Sequence, residues 1–248
     1  MGFIVLLLGV AIYGFFFATF LYLIVFVGGD MLSFLGMEKT VDGGVPPEFY
    51  FGSVAKNVGL LLLFALQHSL MARQSFKHFI RKIIPDGLER SFYVLMTSVV
   101  LATVFMYWQP LPGVVWSTPE GIWSTLMMVG FGLGFGIVLL STFLLNHFEL
   151  FGLRQAWHAF KGTEMPHDGF RTPMLYKYMR HPIYLGFFLA MWCIPTMTAG
   201  HLLFAGLMTF YTFIGIAYEE RDLIAHFGQT YHDYMAKVPA IFPIGRRK

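Results

Sequence analysis

Cysteine is almost absent from this chain: Cys193 stands alone among 248 residues. That excludes an internal disulfide and any paired-cysteine zinc or redox centre, and Cys193 itself reads as a small buried hydrophobe. Charge is scarce too, at 12% of residues, where a soluble domain carries about 25%. The few basic residues fall in short loops, not in one patch with interleaved aromatics, so no nucleic-acid partner is expected. No H-E-x-x-H and no histidine cluster occurs, so no metal is expected either. The stretch "GFGLGFG" (130–136) misses the G-x-G-x-x-G spacing and follows no strand, which removes it as a nucleotide loop.

What is present is apolar. Hydrophobic residues make up 56% of the chain and the mean hydropathy is +0.63. Apolar runs lie at 3–29, 54–72, 91–108, 122–146 and 183–218, and a spanning helix needs about 20 such residues. The first run lacks a basic leader and is longer than a signal core, so it reads as the first spanning helix. The last run is too long for one pass, since its 36 residues would reach ~54 Å against a hydrocarbon core of ~30 Å. Pro195 and Gly200 interrupt it, which predicts a hairpin. The fold class expected is all-α, a polytopic membrane helical bundle with five to six transmembrane helices and a C-terminal helical hairpin over 183–218. Six passes result, or five and a re-entrant pair if the hairpin stops short. The chain reads as a single integral membrane domain (1–248), with N-terminal helices over 1–146 and a C-terminal half over 147–248. No loop is long enough to bury a second core.

Charge sets the expected orientation. The segments 73–90, 147–181 and the tail hold 15 of the 17 Lys and Arg residues, Arg246, Arg247 and Lys248 among them. The opposite loops, 30–53 and 109–121, hold only Lys39. The positive-inside rule then makes the basic face cytoplasmic. Trp108, Trp116 and Trp123 are expected to form an interfacial belt. Gly130/Gly134 and Gly132/Gly136 are two G-x-x-x-G pairs that let helix backbones approach. Loop 30–53 is expected only to pack over the bundle.

The stretch "YKYMRHPIYLG" (176–186) places Arg180 and His181 at the mouth of the last apolar run. Pro182 suits a helix start, and the positive end of that helix favours an anion. Beyond the hairpin stand Glu219 and Glu220, expected at a helix C-terminus, where the dipole opposes them. The hairpin should return these acids to Arg180 and His181. Such a grouping suits a zwitterion or a cation; a plain Arg180–Glu ion pair is the alternative.

"RHPIYLG", an apolar hairpin and "EERDLIAHFGQTYHDYMAKVPAIFP" together resemble the C-terminal half of isoprenylcysteine carboxyl methyltransferases and phospholipid methyltransferases. "LQHSLMARQSFK" (66–77), "ERSFYVL" (89–95) and "NHFELFGLRQAW" (146–157) resemble the membrane-bound methanethiol S-methyltransferases and the related NnrU-type proteins, over most of the chain. This resemblance implies S-adenosylmethionine (SAM) as cofactor, a small thiol as substrate and dimethyl sulfide as product. It places the SAM carboxylate by Arg180 and His181 and its ammonium or hydroxyls by Glu219 and Glu220. Tyr184 would flank the adenine or sulfonium, and Tyr178 would line the site. Tyr231 and Tyr234 read rather as belt residues. A thiol must lose its proton to react, and the candidates for taking it are His68, near Arg73, and His147, near Glu149. His78, His158, His167, His226 and His232 read as solvated. The lipid bilayer is the expected surrounding, and a homo-oligomer stays open. The alternatives are an NnrU-like non-catalytic membrane protein, a reductase-like pocket for NADPH, or a prenylcysteine or lipid acceptor.

Overall fold

A computed structural model describes residues 2–45, 48–85, 87–166 and 169–243. His167, Arg246, Arg247 and Lys248, assigned above to polar segments, lie outside these residues. Within them the chain forms ten α-helices: α1 (Gly2–Gly28), α2 (Tyr50–Ala72), α3 (Gln74–Ile80), α4 (Glu89–Tyr107), α5 (Ile122–Leu144), α6 (His147–Leu150), α7 (Leu153–Lys161), α8 (Pro182–Trp192), α9 (Ala199–Phe227) and α10 (Gln229–Lys237). Two short strands, β1 (Val114–Ser117) and β2 (Thr196–Thr198), pair with each other.

Five helices are long and apolar enough to cross a membrane: α1 with the 3-10 turn after it, α2, α4, α5 and α9. Their outward faces remain apolar, with Phe3, Leu7 and Phe17 on α1, Leu62 and Leu66 on α2, and Leu133 and Phe143 on α5 all exposed. Only lipid can cover so much apolar surface, and helices suit it because their backbone bonds are internal. The protein is an all-α membrane bundle.

The last apolar run does fold back, but unevenly. Its first arm, α8, has 11 residues, about 16 Å of helix, which is roughly half the hydrocarbon thickness. An extended segment follows, and there the Pro195 carbonyl accepts a bond from the Thr118 N–H at 2.8 Å. Extended residues rise about twice as far per residue as helical ones, so they carry the tip to the loop ahead of α5. The second arm, α9, continues past the apolar run to Phe227.

The chain's contacts fall into two compact units. The first comprises Met1–Trp116, Asn146–Pro166 and Thr196–Phe204. Here α1 packs on α4 and α7, and α2 packs on α4. Trp108 is fully buried, and its indole N–H donates to the Val41 carbonyl at 3.0 Å. It is therefore a core residue and not part of the expected belt, which Trp116 and Trp123 fit by their 37% and 59% exposure. Buried Asn57 grips the Gln109 backbone from both sides, at 2.7 and 2.9 Å. Gly152 has φ +89°, and a Cβ there would lie 2.5 Å from the Ser91 hydroxyl, so only glycine lets α7 start against α4. The loop 30–49 is stitched inward: Val41 N–H donates to Phe26 O at 3.0 Å. Asp42 accepts from the Thr198 hydroxyl at 2.5 Å and lies 3.5 Å from Nδ1 of His201. His201 is fully buried inside a run that reads as purely apolar.

The second unit comprises Ser117–Leu145, His167–Pro195 and Ala205–Lys248. Its centre is the packing of α5 on α8. A Cβ on Gly134 would stand 2.6 Å from the Gly186 carbonyl, and one on Gly186 would stand 2.6 Å from the Gly134 carbonyl. Gly130 leaves room for the half-buried Cys193, whose sulfur would lie 2.7 Å from an added Cβ. Gly132 and Gly136 face open space. Of the two G-x-x-x-G pairs, only Gly130/Gly134 serves packing here.

Candidate functional site

The second unit brings Arg180, His181, Tyr184, Glu219 and Glu220 together. Pro182 occupies the first turn of α8, and His181, with φ −125° and ψ 63°, stands just outside the helix. This non-helical backbone is what a residue before proline prefers. It leaves the Arg180 and His181 N–H groups free to pair outward, and they donate to Pro239 O at 3.0 Å and Ala240 O at 2.8 Å. The segment after α10 is thus bonded alongside the motif.

Glu220 sits under this junction. Its Oε1 accepts from Arg180 Nε at 2.7 Å, lies 2.6 Å from an Arg180 Nη and stands 3.0 Å from His181 Nε2. The other Nη of Arg180 donates to Val238 O at 2.5 Å, with Met235 O at 3.4 Å. The side chains of Arg180 and Glu220 are only 10% and 15% exposed. The intramolecular ion pair that the sequence offers as an alternative is therefore formed, and together with the Val238 and Met235 carbonyls it engages most of the guanidinium's donors.

Glu219 behaves differently. Its side chain is 45% exposed and lies 3.6 Å from His181 Nδ1. The Tyr184 hydroxyl donates to it at 2.8 Å, and the Tyr184 and His181 rings lie 5.4 Å apart. A carboxylate offers about four acceptor positions, so Glu219 keeps room for another donor or cation. The two acids are not at a helix end: α9 continues to Phe227. The dipole effect fades beyond the last turn, so the expected dipole penalty does not act on them.

Three further tyrosines close the site, in places that differ from those expected of the sequence. Tyr176 is buried, whereas Tyr178 is 55% exposed. Tyr231 is 2% exposed and rests on Phe170 and Tyr234, a core position and not a belt position. The Tyr234 hydroxyl donates to the Tyr176 carbonyl at 2.5 Å. Burial, then Glu219 and Tyr234, push the Tyr176 phenol up; burial and Glu220 do the same to Tyr231. Tyr234 is pushed up to about 12, by burial. All three stay protonated at neutral pH, so none of them is a base, and the Tyr234 hydroxyl is a donor.

The first unit holds the other candidates. His68 receives the Tyr93 hydroxyl at 2.9–3.0 Å, and the Arg90 guanidinium stands 5.1 Å from the Tyr93 ring centroid. Arg73, expected beside His68, ends α2 as an exposed residue. His147 is 4% exposed and bonds Tyr13 Oη at 2.8 Å; burial lowers its pKa. Glu149, expected to serve it, accepts from Arg154 and from Asn146. His78, His226 and His232 are exposed, as expected, whereas His158 is half-buried and bonds the Thr163 hydroxyl at 2.8 Å. Among the described residues no cluster of side chains suited to a metal ion occurs.

The family model described as NnrU protein matches residues 58–241. The chain belongs to the NnrU family. "Methanethiol S-methyltransferase 2" of Bradyrhizobium diazoefficiens is 46% identical over 96% of this chain and 90% of its own length. The methanethiol S-methyltransferase of Mycobacterium tuberculosis is 41% identical over 97% of this chain and 96% of its own. Nurim of Bos taurus is 32% identical over 67% of this chain. No solved structure matches this NnrU-family chain. The match to the family covers Arg180, His181, Glu219 and Glu220 alike.

Proposed function

We propose that this protein is a methyltransferase that moves the methyl group of SAM to methanethiol, giving dimethyl sulfide, at the cytoplasmic surface of a bacterial inner membrane. The observation that carries the proposal is the half-exposed Glu219 carboxylate, held by Tyr184 beside buried His181. The names of near full-length relatives support the reaction class, and their substrate supports the acceptor. The basic loops support the orientation.

The residues fit SAM in part as the sequence suggested. Glu219 has spare acceptor capacity for an ammonium, for ribose hydroxyls or for a nearby sulfonium. Arg180 does not act as an open fork, because Glu220 and the chain after α10 occupy it. The positive end of α8 still favours a carboxylate nearby. Tyr184 presents an aromatic face that can meet a cation. When bound, SAM supplies an electrophilic methyl group that needs no metal to react.

The protein's part is alignment and exclusion of water. The Arg180–Glu220 pair fixes the start of α8 and so fixes His181 and Tyr184. A thiol acceptor would have to give up its proton to a base and stand in line with the methyl group that SAM would supply. His68 and His147 are proposed for that proton, and burial keeps His147 in its accepting form.

Calorimetric titration of the purified protein with SAM tests the reading. Wild type binds, and His181→Ala and Glu219→Gln bind at least about tenfold more weakly, the worth of roughly 1.4 kcal/mol. Folded wild type that does not bind SAM contradicts it and leaves a non-catalytic NnrU-type protein.

A further inference from the structure

A groove of about 530 Å³ lies in the first unit, lined by Ala18, Thr19 and Tyr22 of α1, Ala102, Phe105 and Met106 of α4, and Lys39. Its walls are mostly apolar, and they are concave because the two alanines are small. Thr19 turns its hydroxyl onto its own helix, donating to Phe15 O at 2.8 Å, and so adds no polar demand. Tyr22 Oη donates to the Lys39 carbonyl at 2.8 Å, which holds the lysine at the end of the groove.

Lys39 and Lys56 are the two basic residues that fall outside the three basic segments. The Lys39 ammonium donates to Trp108 O at 2.6 Å, which uses one of its three protons. The Lys56 ammonium stands 5.7 Å from the ring centroid of Tyr107. Both therefore lie beside the C-terminal end of α4. Among the described residues no carboxylate pairs with either lysine. Burial, then repulsion from Lys56, lowers the Lys39 pKa. An anion placed between two such ammonium groups relieves that repulsion.

We propose that this groove holds one phospholipid, its acyl chain along Ala18 and Ala102 and its anionic headgroup phosphate on Lys39 and Lys56. Lipid is the apolar molecule present at high concentration beside this face, and a phosphate is the anionic group that a phospholipid brings to two neighbouring ammonium groups. The charge complementarity sets the headgroup, and the concave apolar wall sets the chain.

Native mass spectrometry of the full chain, titrated with phosphatidylglycerol and with phosphatidylcholine of the same acyl chains, tests the site. The expected result is one phosphatidylglycerol retained at least about tenfold more tightly than phosphatidylcholine, about 1.4 kcal/mol. Lys39→Gln and Lys56→Gln each reduce the preference several-fold. Ala102→Phe fills the groove without touching a charge, and removes retention of both lipids. Because Lys39→Gln also deprives Trp108 O of its donor, Lys56→Gln and Ala102→Phe decide between the outcomes if that variant fails to fold. Equal retention of the two lipids overturns the proposal, as does unchanged phosphatidylglycerol retention in Ala102→Phe. Loss of a dimer in Ala102→Phe with lipid retention unchanged overturns it in favour of a second copy of the chain.

Discussion

Glu219 and Glu220 are neighbours with separate tasks, because adjacent residues on a helix point about 100° apart. Glu220 turns to Arg180 and is nearly enclosed; Glu219 turns to Tyr184 and stays 45% exposed. Removing one partner of a buried ion pair costs about 3 kcal/mol or more. Glu220→Gln and Arg180→Ala are thus expected to lower the thermal midpoint clearly, as differential scanning fluorimetry in detergent reads it. Glu219→Gln leaves that midpoint nearly unchanged and weakens SAM binding instead. Tyr184→Phe removes one hydrogen bond, worth about 1 kcal/mol, and weakens SAM binding by about fivefold. His147 provides a pH signature. Its folded pKa is depressed, so the unfolded chain binds the proton first. Stability is then fully present above the ordinary histidine value of about 6.5 and is lost as pH falls through the depressed one. His147→Gln is expected to flatten that acid limb of the midpoint-versus-pH curve. The grouping of Arg180 and His181 with Glu219 and Glu220 is legible in the sequence. The division of their work is not, because residue type states charge while helical phase decides the partner. The same holds for Tyr176 and Tyr178: two residues apart on a tight turn, one is buried and the other exposed.

At the scale of elements, the long last run is legible as a hairpin because Pro195 cannot continue a helix's hydrogen bonds. The short length of α8 is not legible, since apolar composition does not distinguish helix from extended chain in lipid-facing segments. Nor is the extension of α9 past the two acids, which hydropathy alone takes for an end. Glycine spacing predicts close approach but not which stripe makes it. Gly134→Leu and Gly186→Leu drive a side chain into the opposite backbone and are expected to cost about 3 kcal/mol or more, near or beyond the usual overpacking range. Gly132→Leu, on an open face, is expected to leave the thermal midpoint within a few degrees or raise it, since glycine is a poor helix former. Similar losses in all three would contradict the assignment of the packed stripe.

The protein is an all-α membrane bundle in which polar side chains meet in small groups, such as Arg180, His181 and Glu220. Its all-α membrane class is legible from hydropathy, because every long apolar run must find a partner or lipid. The stitching of loop 30–49 through Asp42, Thr198 and His201 is not legible, since the partners lie far apart in sequence. The proposed function comes down to one methyl transfer, and one measurement tests it most directly. Purified protein is supplied with methyl-labelled SAM and methanethiol, and the headspace is analysed for labelled dimethyl sulfide. The predicted result is labelled dimethyl sulfide from wild type and its loss in Glu219→Gln at an unchanged thermal midpoint. Folded protein that binds SAM yet releases no labelled dimethyl sulfide would contradict the assignment of methanethiol as acceptor.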